Sequence, residues 1–257
     1  MKAKVLAVGA VTCLVAFGAQ AVPAIDLFTL DQTALVDSVF DGNGLSSQVG
    51  SPGEITILGG YRDLFVEKLA GAGNTSVVVQ GGNLVFSTGL LSKGVARLRW
   101  DGPASHASID STGLGGIDLA TVSTGFSLVV NAANAPFGVQ VVAYTDAANY
   151  TTLALTVPGT GNHGLSWVNF SSLGTSVGAG FNFSNLGALE LSLFGDATVG
   201  SAQANALSGG GVGLASPDTV EVSLAMLVAV PEPSVWLQCL VGLAGLALWA
   251  RRGLARR

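Results

Sequence analysis

Thr219-Val220-Glu221-Val222-Ser223-Leu224-Ala225-Met226-Leu227-Val228 is the stretch on which the fold turns. Val220, Val222, Leu224, Met226 and Val228 alternate with Thr219, Glu221 and Ser223, the period of two expected of a strand with one buried face. Upstream the same period recurs. Leu189, Leu191 and Leu193 alternate with Glu190 and Ser192, and Leu153, Leu155 and Val157 with Thr152, Ala154 and Thr156. Val77 to Val79, Val95 to Trp100, Phe126 to Val130 and Phe137 to Tyr144 fit the same scheme. Turn chemistry separates these runs at Gly81-Gly82-Asn83, Asn131 to Pro136, Asp146 to Asn149 and Gly159 to Gly164. No segment carries a capped stripe of helical period. Many short strands without intervening helices predict an all-β domain over residues 22–229, a β-sandwich of jelly-roll type.

Composition narrows what such a domain can do. The chain has 257 residues, 49% hydrophobic and only 11% charged, yet unbroken apolar runs flanked by basic residues occur only at its two ends. Between residues 22 and 230 five basic residues (Arg62, Lys68, Lys93, Arg97 and Arg99) face fifteen carboxylates. A domain about ten charges negative does not bind nucleic acid, which requires phosphates to be neutralised. The two cysteines, Cys13 and Cys239, both lie in the terminal apolar runs. The middle therefore has no disulfide framework, thiolate metal site or cysteine nucleophile, and its core must hold it together.

The ends read as targeting segments. Residues 1–21 combine Lys2 and Lys4, an apolar stretch from Val5 to Gly18, and small residues at Ala19 and Ala21. This is a secretory signal peptide, with cleavage by signal peptidase predicted between Ala21 and Val22. Residues 230–257 hold Pro231-Glu232-Pro233, then sixteen uncharged residues from Val235 to Ala250, then Arg251, Arg252, Arg256 and Arg257. The prolines break any continuing element, 235–250 is predicted to be a single transmembrane helix, and the arginines stay cytoplasmic. This ordered set resembles the PEP-CTERM sorting signal. The resemblance implies an exosortase, a membrane-embedded cysteine protease that releases its substrate near the Pro-Glu-Pro motif. It also implies a Gram-negative host that makes exopolysaccharide, transient insertion in the inner membrane, and a final place at the cell surface or outside the cell. Gly59 to Asp63, Arg97 to Gly102, Gly115 to Leu119 and Phe181 to Asn185 also resemble segments that recur in PEP-CTERM proteins.

The middle offers little catalytic chemistry. Gly174-Thr175-Ser176-Val177-Gly178 spells a nucleophile elbow, but His106 and His163 both precede it and its surroundings are all β, so Ser176 is expected in a loop. The histidines lie in separate Gly-rich stretches without ligand spacing, so we expect no metal site and no cofactor. Asp41-Gly42-Asn43-Gly44 has Leu45 where a calcium loop wants a ligand, and reads as a plain turn. Glu54, Glu67, Glu190 and Glu221 are carboxylates of the type a glycoside hydrolase uses. Glu190 and Glu221, alternating with core residues, are expected on solvent faces. Sugars are often held against aromatic rings with polar groups reading hydroxyls, and Tyr61, Trp100 and Trp167 are the candidates here, with Tyr144, Tyr150, Arg62, Arg99 and Asp101 also available. The competing reading has Trp100 and Trp167 capping the core. The sequence thus leads to a non-enzymatic, surface-delivered matrix protein, with binding to exopolysaccharide as the alternative and hydrolysis behind it.

Overall fold

The computed structural model describes residues 24–120, 123, 125–159, 163–168, 174–195 and 220–230, without the side chains of residues 163–168 and 230. The predicted signal peptide with its Ala21–Val22 bond, Pro231 to Pro233, the 235–250 helix and the four terminal arginines lie outside this set. Among the described residues no helix is long and apolar enough to cross a membrane.

Among the described residues, fourteen strands form two seven-stranded antiparallel sheets. In chain order they are β1 Ala24–Asp26, β2 Gln32–Asp37, β3 Leu45–Gly50, β4 Tyr61–Ala70, β5 Thr75–Gln80, β6 Asn83–Thr88 and β7 Lys93–Trp100. Then come β8 Gly125–Ala133, β9 Phe137–Asp146, β10 Asn149–Val157, β11 His163–Val168, β12 Thr175–Val177, β13 Ala188–Phe194 and β14 Val220–Val230. Sheet A runs β11-β8-β14-β6-β5-β2 with β1 also on β14, and sheet B runs β12-β10-β9-β13-β7-β4-β3. The two orders match position by position: β8 with β9, β14 with β13, β6 with β7, β5 with β4, β2 with β3. The chain repeatedly steps from one sheet to the other, the winding of a jelly-roll-like sandwich.

The core fills the space between the sheets, as the alternation requires. Val77, Val79, Leu84, Phe86, Phe126, Leu128 and Val130 from sheet A meet Leu64, Val66, Leu98, Val139, Val141, Leu189, Leu191 and Leu193 from sheet B, all essentially inaccessible. Each such side chain contributes about 1.5–3 kcal/mol on burial. The β5–β6 hairpin closes through Gly81 and Gly82 at φ +58° and +78°, with Gln80 paired to Asn83. Both positive angles are what a two-residue type I′ turn needs, and glycine meets them without strain.

Two sequence expectations change here. The alternation in β14 is not continuous: its register with β8 shifts at Leu224 to Met226. Beyond that bulge Leu227 and Ala229 point inward, while Met226 is 36% exposed. A bulge adds one residue and flips the phase of the side chains that follow. The break expected over Asn131 to Pro136 is shorter, because β8 continues to Ala133, and the turn carries the chain across to the other sheet.

Candidate functional site

The outward face of sheet B is where polar chemistry collects. One row runs across five strands in register: Thr152 opposite Val142, Val142 opposite Glu190, Glu190 opposite Arg99, Arg99 opposite Asp63, and Asp63 opposite Gln48 on a sixth strand. The adjacent row holds Ala154, Gln140, Ser192, Arg97, Phe65 and Ser46. Centre and flanks differ in exposure. Gln140, Ser192, Glu190 and Arg99 are buried at the centre, whereas Tyr144, Tyr150, Thr152, Phe65, Arg97 and Glu67 at the flanks are partly exposed.

These side chains hold one another in place. Arg99 donates from Nε to Glu190 Oε2 at 2.7 Å, and Ser192 Oγ donates to Glu190 Oε1 at 3.4 Å. Arg97 lies over the Phe65 ring at 4.8 Å and 3.8 Å from Glu67. The Tyr144 and Tyr150 rings sit 5.3 Å apart on β9 and β10. Burial and the nearby Glu190 charge raise the Tyr144 phenol, so it remains a hydrogen-bond donor through the physiological range. All five basic residues of the middle region lie on the adjacent strands β4 and β7, although the domain is otherwise acidic.

Of the three predicted aromatic contacts, only Tyr61 is placed to serve this face. It is half-buried at the start of β4, two residues from Asp63 and so on the same side of the strand. Trp100 is a correction: it is 0% exposed, points into the core, and donates from Nε1 to Asp26 Oδ2 at 3.0 Å. The core-capping alternative describes it. Trp167 stands opposite Phe126 in register on β11, and its side chain is outside the described set. Arg62 is likewise interior. Its Nη1 reaches both Asp26 oxygens at 3.0 and 3.1 Å, Nε donates to Gln32 Oε1 at 2.9 Å, and Nη2 to the Leu30 carbonyl at 2.6 Å. Burial raises the Asp26 carboxyl, against the Arg62 charge and the donors from Phe28 and Trp100 that pull it down.

The remaining sequence candidates are dispersed. Glu190 is buried by its Arg99 partner, contrary to the solvent face expected for it, while Glu221 is exposed. Ser176 lies on the short edge strand β12, not in a loop, and its hydroxyl meets Thr151 Oγ1 at 3.0 Å. His163 opens β11 and is not in a Gly-rich loop; His106 Nδ1 contacts Ser46 Oγ at 2.7 Å. Asp41 caps its own turn through the Asn43 N–H, and Glu54 accepts from Thr56. Among the described residues no three potential metal donors converge. A cavity of about 630 Å³ opens at the end of the sandwich, lined by Thr145, Asn149, Gly180, Phe181, Asn182 and Phe183.

Sequence reasoning passed over Phe65, Gln140, Ser192 and Gln48. The signal for them was present: each occupies an outward position of an alternating strand, and those positions are read as a set only once the strand order is known.

No family model matches the chain, and no curated protein matches it. Solved structures similar to it include a family 11 carbohydrate-binding module from Clostridium thermocellum in complex with a β-1,3-1,4-mixed-linked tetrasaccharide. That match has 10% identity and a TM-score of 0.34, and covers 77% of this chain and 95% of that one. An agarase, AgWH50C, has 8% identity and a TM-score of 0.38, with 78% of this chain and 25% of that one covered. An exo-β-agarase has 8% identity and a TM-score of 0.33, covering 83% and 25%. The chain thus spans about a quarter of the agarases. Matches this weak transfer no function, and the chemistry of the face has to be argued from its own side chains.

Proposed function

We propose that this is a non-catalytic carbohydrate-binding sandwich whose outward sheet-B face holds a polysaccharide. The observation that supports it is the register of that face: rings at Tyr144, Tyr150 and Phe65 flank a polar floor of Gln140, Ser192, Glu190 and Arg99. A pyranose ring offers apolar C–H faces and a rim of hydroxyls. Flanking rings suit the first, and fixed amide, carboxylate and guanidinium groups suit the second. The one carboxylate of the floor, Glu190, is held by Arg99 and Ser192, which suits recognition better than acid–base work.

The test is a glycan array that includes the host's own exopolysaccharide. Tyr144→Ala combined with Tyr150→Ala is expected to weaken binding about tenfold or more, the equivalent of about 1.4 kcal/mol. Trp100→Phe is expected to leave affinity unchanged. No binding to any glycan, or binding indifferent to the tyrosine pair and to Arg97→Ala alike, would refute the assignment.

We propose in addition that residues 230–257 deliver this domain as an exosortase substrate to the cell surface or matrix. Its support is the ordered motif itself and its attachment: β14 ends at Val230, directly before Pro231. Mass spectrometry of the protein recovered outside the cell should find a terminus near the Pro-Glu-Pro motif. Recovery of chains still ending in Arg257 would overturn the processing.

A further inference from the structure

Next to the polar floor lies a group of buried atoms that the glycan reading does not use. Asp63 and Asp101 are each 1% exposed. Neither Asp63 oxygen has a hydrogen-bond partner, nor does Asp101 Oδ1, nor the neighbouring Arg99 Nη1. Asp101 Oδ2 accepts from the Asp110 N–H at 2.7 Å. That bond belongs to a segment, residues 101–110, which returns over the β3 side of the face. Gln48 Nε2 donates to the Ala104 carbonyl at 3.1 Å, and His106 meets Ser46 at 2.7 Å.

The charges do not balance if every carboxyl is ionised. Asp63, Asp101 and Glu190 would be negative, with Arg99 the one cation buried among them and already bonded to Glu190. Two uncompensated negative charges away from water are untenable, and a carboxyl so placed takes up a proton. One proton answers both the charge and the orphaned oxygens. A protonated Asp63 donates to Asp101 Oδ1 and fills two vacant positions at once.

We infer that Asp63 and Asp101 share a proton, and that this carboxyl pair latches the 101–110 segment against sheet B and releases it when the proton is lost. The inference stands apart from the glycan assignment. Burial first, and then the Asp101 charge, push the Asp63 carboxyl up to about 7 against the downward pull of the Gln48 amide and the Arg99 charge, and burial raises Asp101 as well. The two titrate as a pair. The other ionisable groups facing them are Arg99 and Arg97 on β7, Glu190 on β13, Glu67 on β4, and His106 and Asp110 on the segment itself. β3 presents only the neutral Gln48 and Ser46.

The experiment is a carboxyl carbon NMR titration of aspartate-labelled full-length protein from pH 4 to 9, with amide exchange across residues 102–110 and thermal melting alongside. One aspartate is expected to titrate near 7. As that proton is lost, exchange at Asp110 should quicken beyond its intrinsic base dependence, and Tm should fall by about 5 °C or more between about pH 4 and pH 7 and level off above. Asp63→Asn supplies a permanent amide donor to Asp101 and should hold the segment closed and flatten the response. If that variant fails to fold, Asp101→Asn must remove the near-neutral titration from the spectrum. His106→Gln must leave the response intact. The inference is overturned if every aspartate titrates below 5, if the response follows His106, or if calcium stabilises the protein at neutral pH and chelation reverses it.

Discussion

Arg62→Met is the perturbation that asks most of this structure. Arg62 is fully buried and joins four strands: its guanidinium pairs with Asp26 on β1, bonds Gln32 on β2 and the Leu30 carbonyl, and it sits on β4 beside the Trp100 of β7 that shares Asp26. Methionine keeps most of the volume and removes the charge. Asp26 is then left with the Phe28 N–H at 2.8 Å and the Trp100 indole, while Gln32 Oε1 and Leu30 O lose their donor. An uncompensated buried carboxylate of this kind costs about 3–5 kcal/mol. In a domain of roughly 200 residues that lowers Tm by about 6–20 °C. Urea unfolding measures it directly, with the m-value unchanged if only the native state is affected. Adding Asp26→Asn should recover part of the loss, because the stranded charge goes with it, and the coupling should exceed about 1 kcal/mol. A single-variant loss under about 1 kcal/mol, or a double variant no better than the single, would show that the network does not hold the sheets together.

Further outcomes follow from other sites. Trp100→Phe removes the indole donor to Asp26 and should cost about 1–3 kcal/mol in urea unfolding, because it leaves a buried acceptor short of a partner. Glu190→Ala strands the Arg99 guanidinium on the sheet-B floor and should destabilise by about 2–4 kcal/mol, with Glu190→Gln milder; equal effects from both would deny the ion pair a role. Gly82→Ala at φ +78° should cost about 1 kcal/mol by thermal melting. Since the Asp63 carboxyl sits higher in the folded chain than its ordinary value, the unfolded chain releases its proton first as pH rises. Stability should therefore fall between about pH 4 and pH 7 and flatten above, by at most about 4 kcal/mol.

What the sequence disclosed and what it hid divide along physical lines. The strands at 152–157 and 189–193 were legible because each alternates core residues with polar or small ones, and a period of two records that directly. The β14 bulge was not legible: Met226 is as apolar as the residues around it, so the change of face at Leu227 leaves no mark in composition. Glu190 was misread for a related reason. Alternation says which face a side chain is on, not whether that face is wet, and Glu190 is buried by Arg99, a residue 91 positions away that arrives through strand order. Trp100 was assigned to the core by the competing reading, yet its bond to Asp26 depends on β1, a strand of sheet A, meeting β7 of sheet B across the core.

The place where the chain enters and leaves the sandwich bears on how such a domain can work while tethered. Ala24 in β1 is paired with Val228 in β14, so the first described strand and the last lie side by side in sheet A. Both predicted targeting segments therefore attach at one end of that sheet, beside its interior strand β14. The polar and aromatic rows lie on the outward face of sheet B, across the core from it. On the proposed sorting, the cut near Pro231 falls outside the sheet-B rows. If the proposed glycan face and the proposed processing site are separate in this way, glycan binding measured on precursor and released protein should differ by less than about twofold; a large difference would place the binding surface on sheet A or at the tail instead.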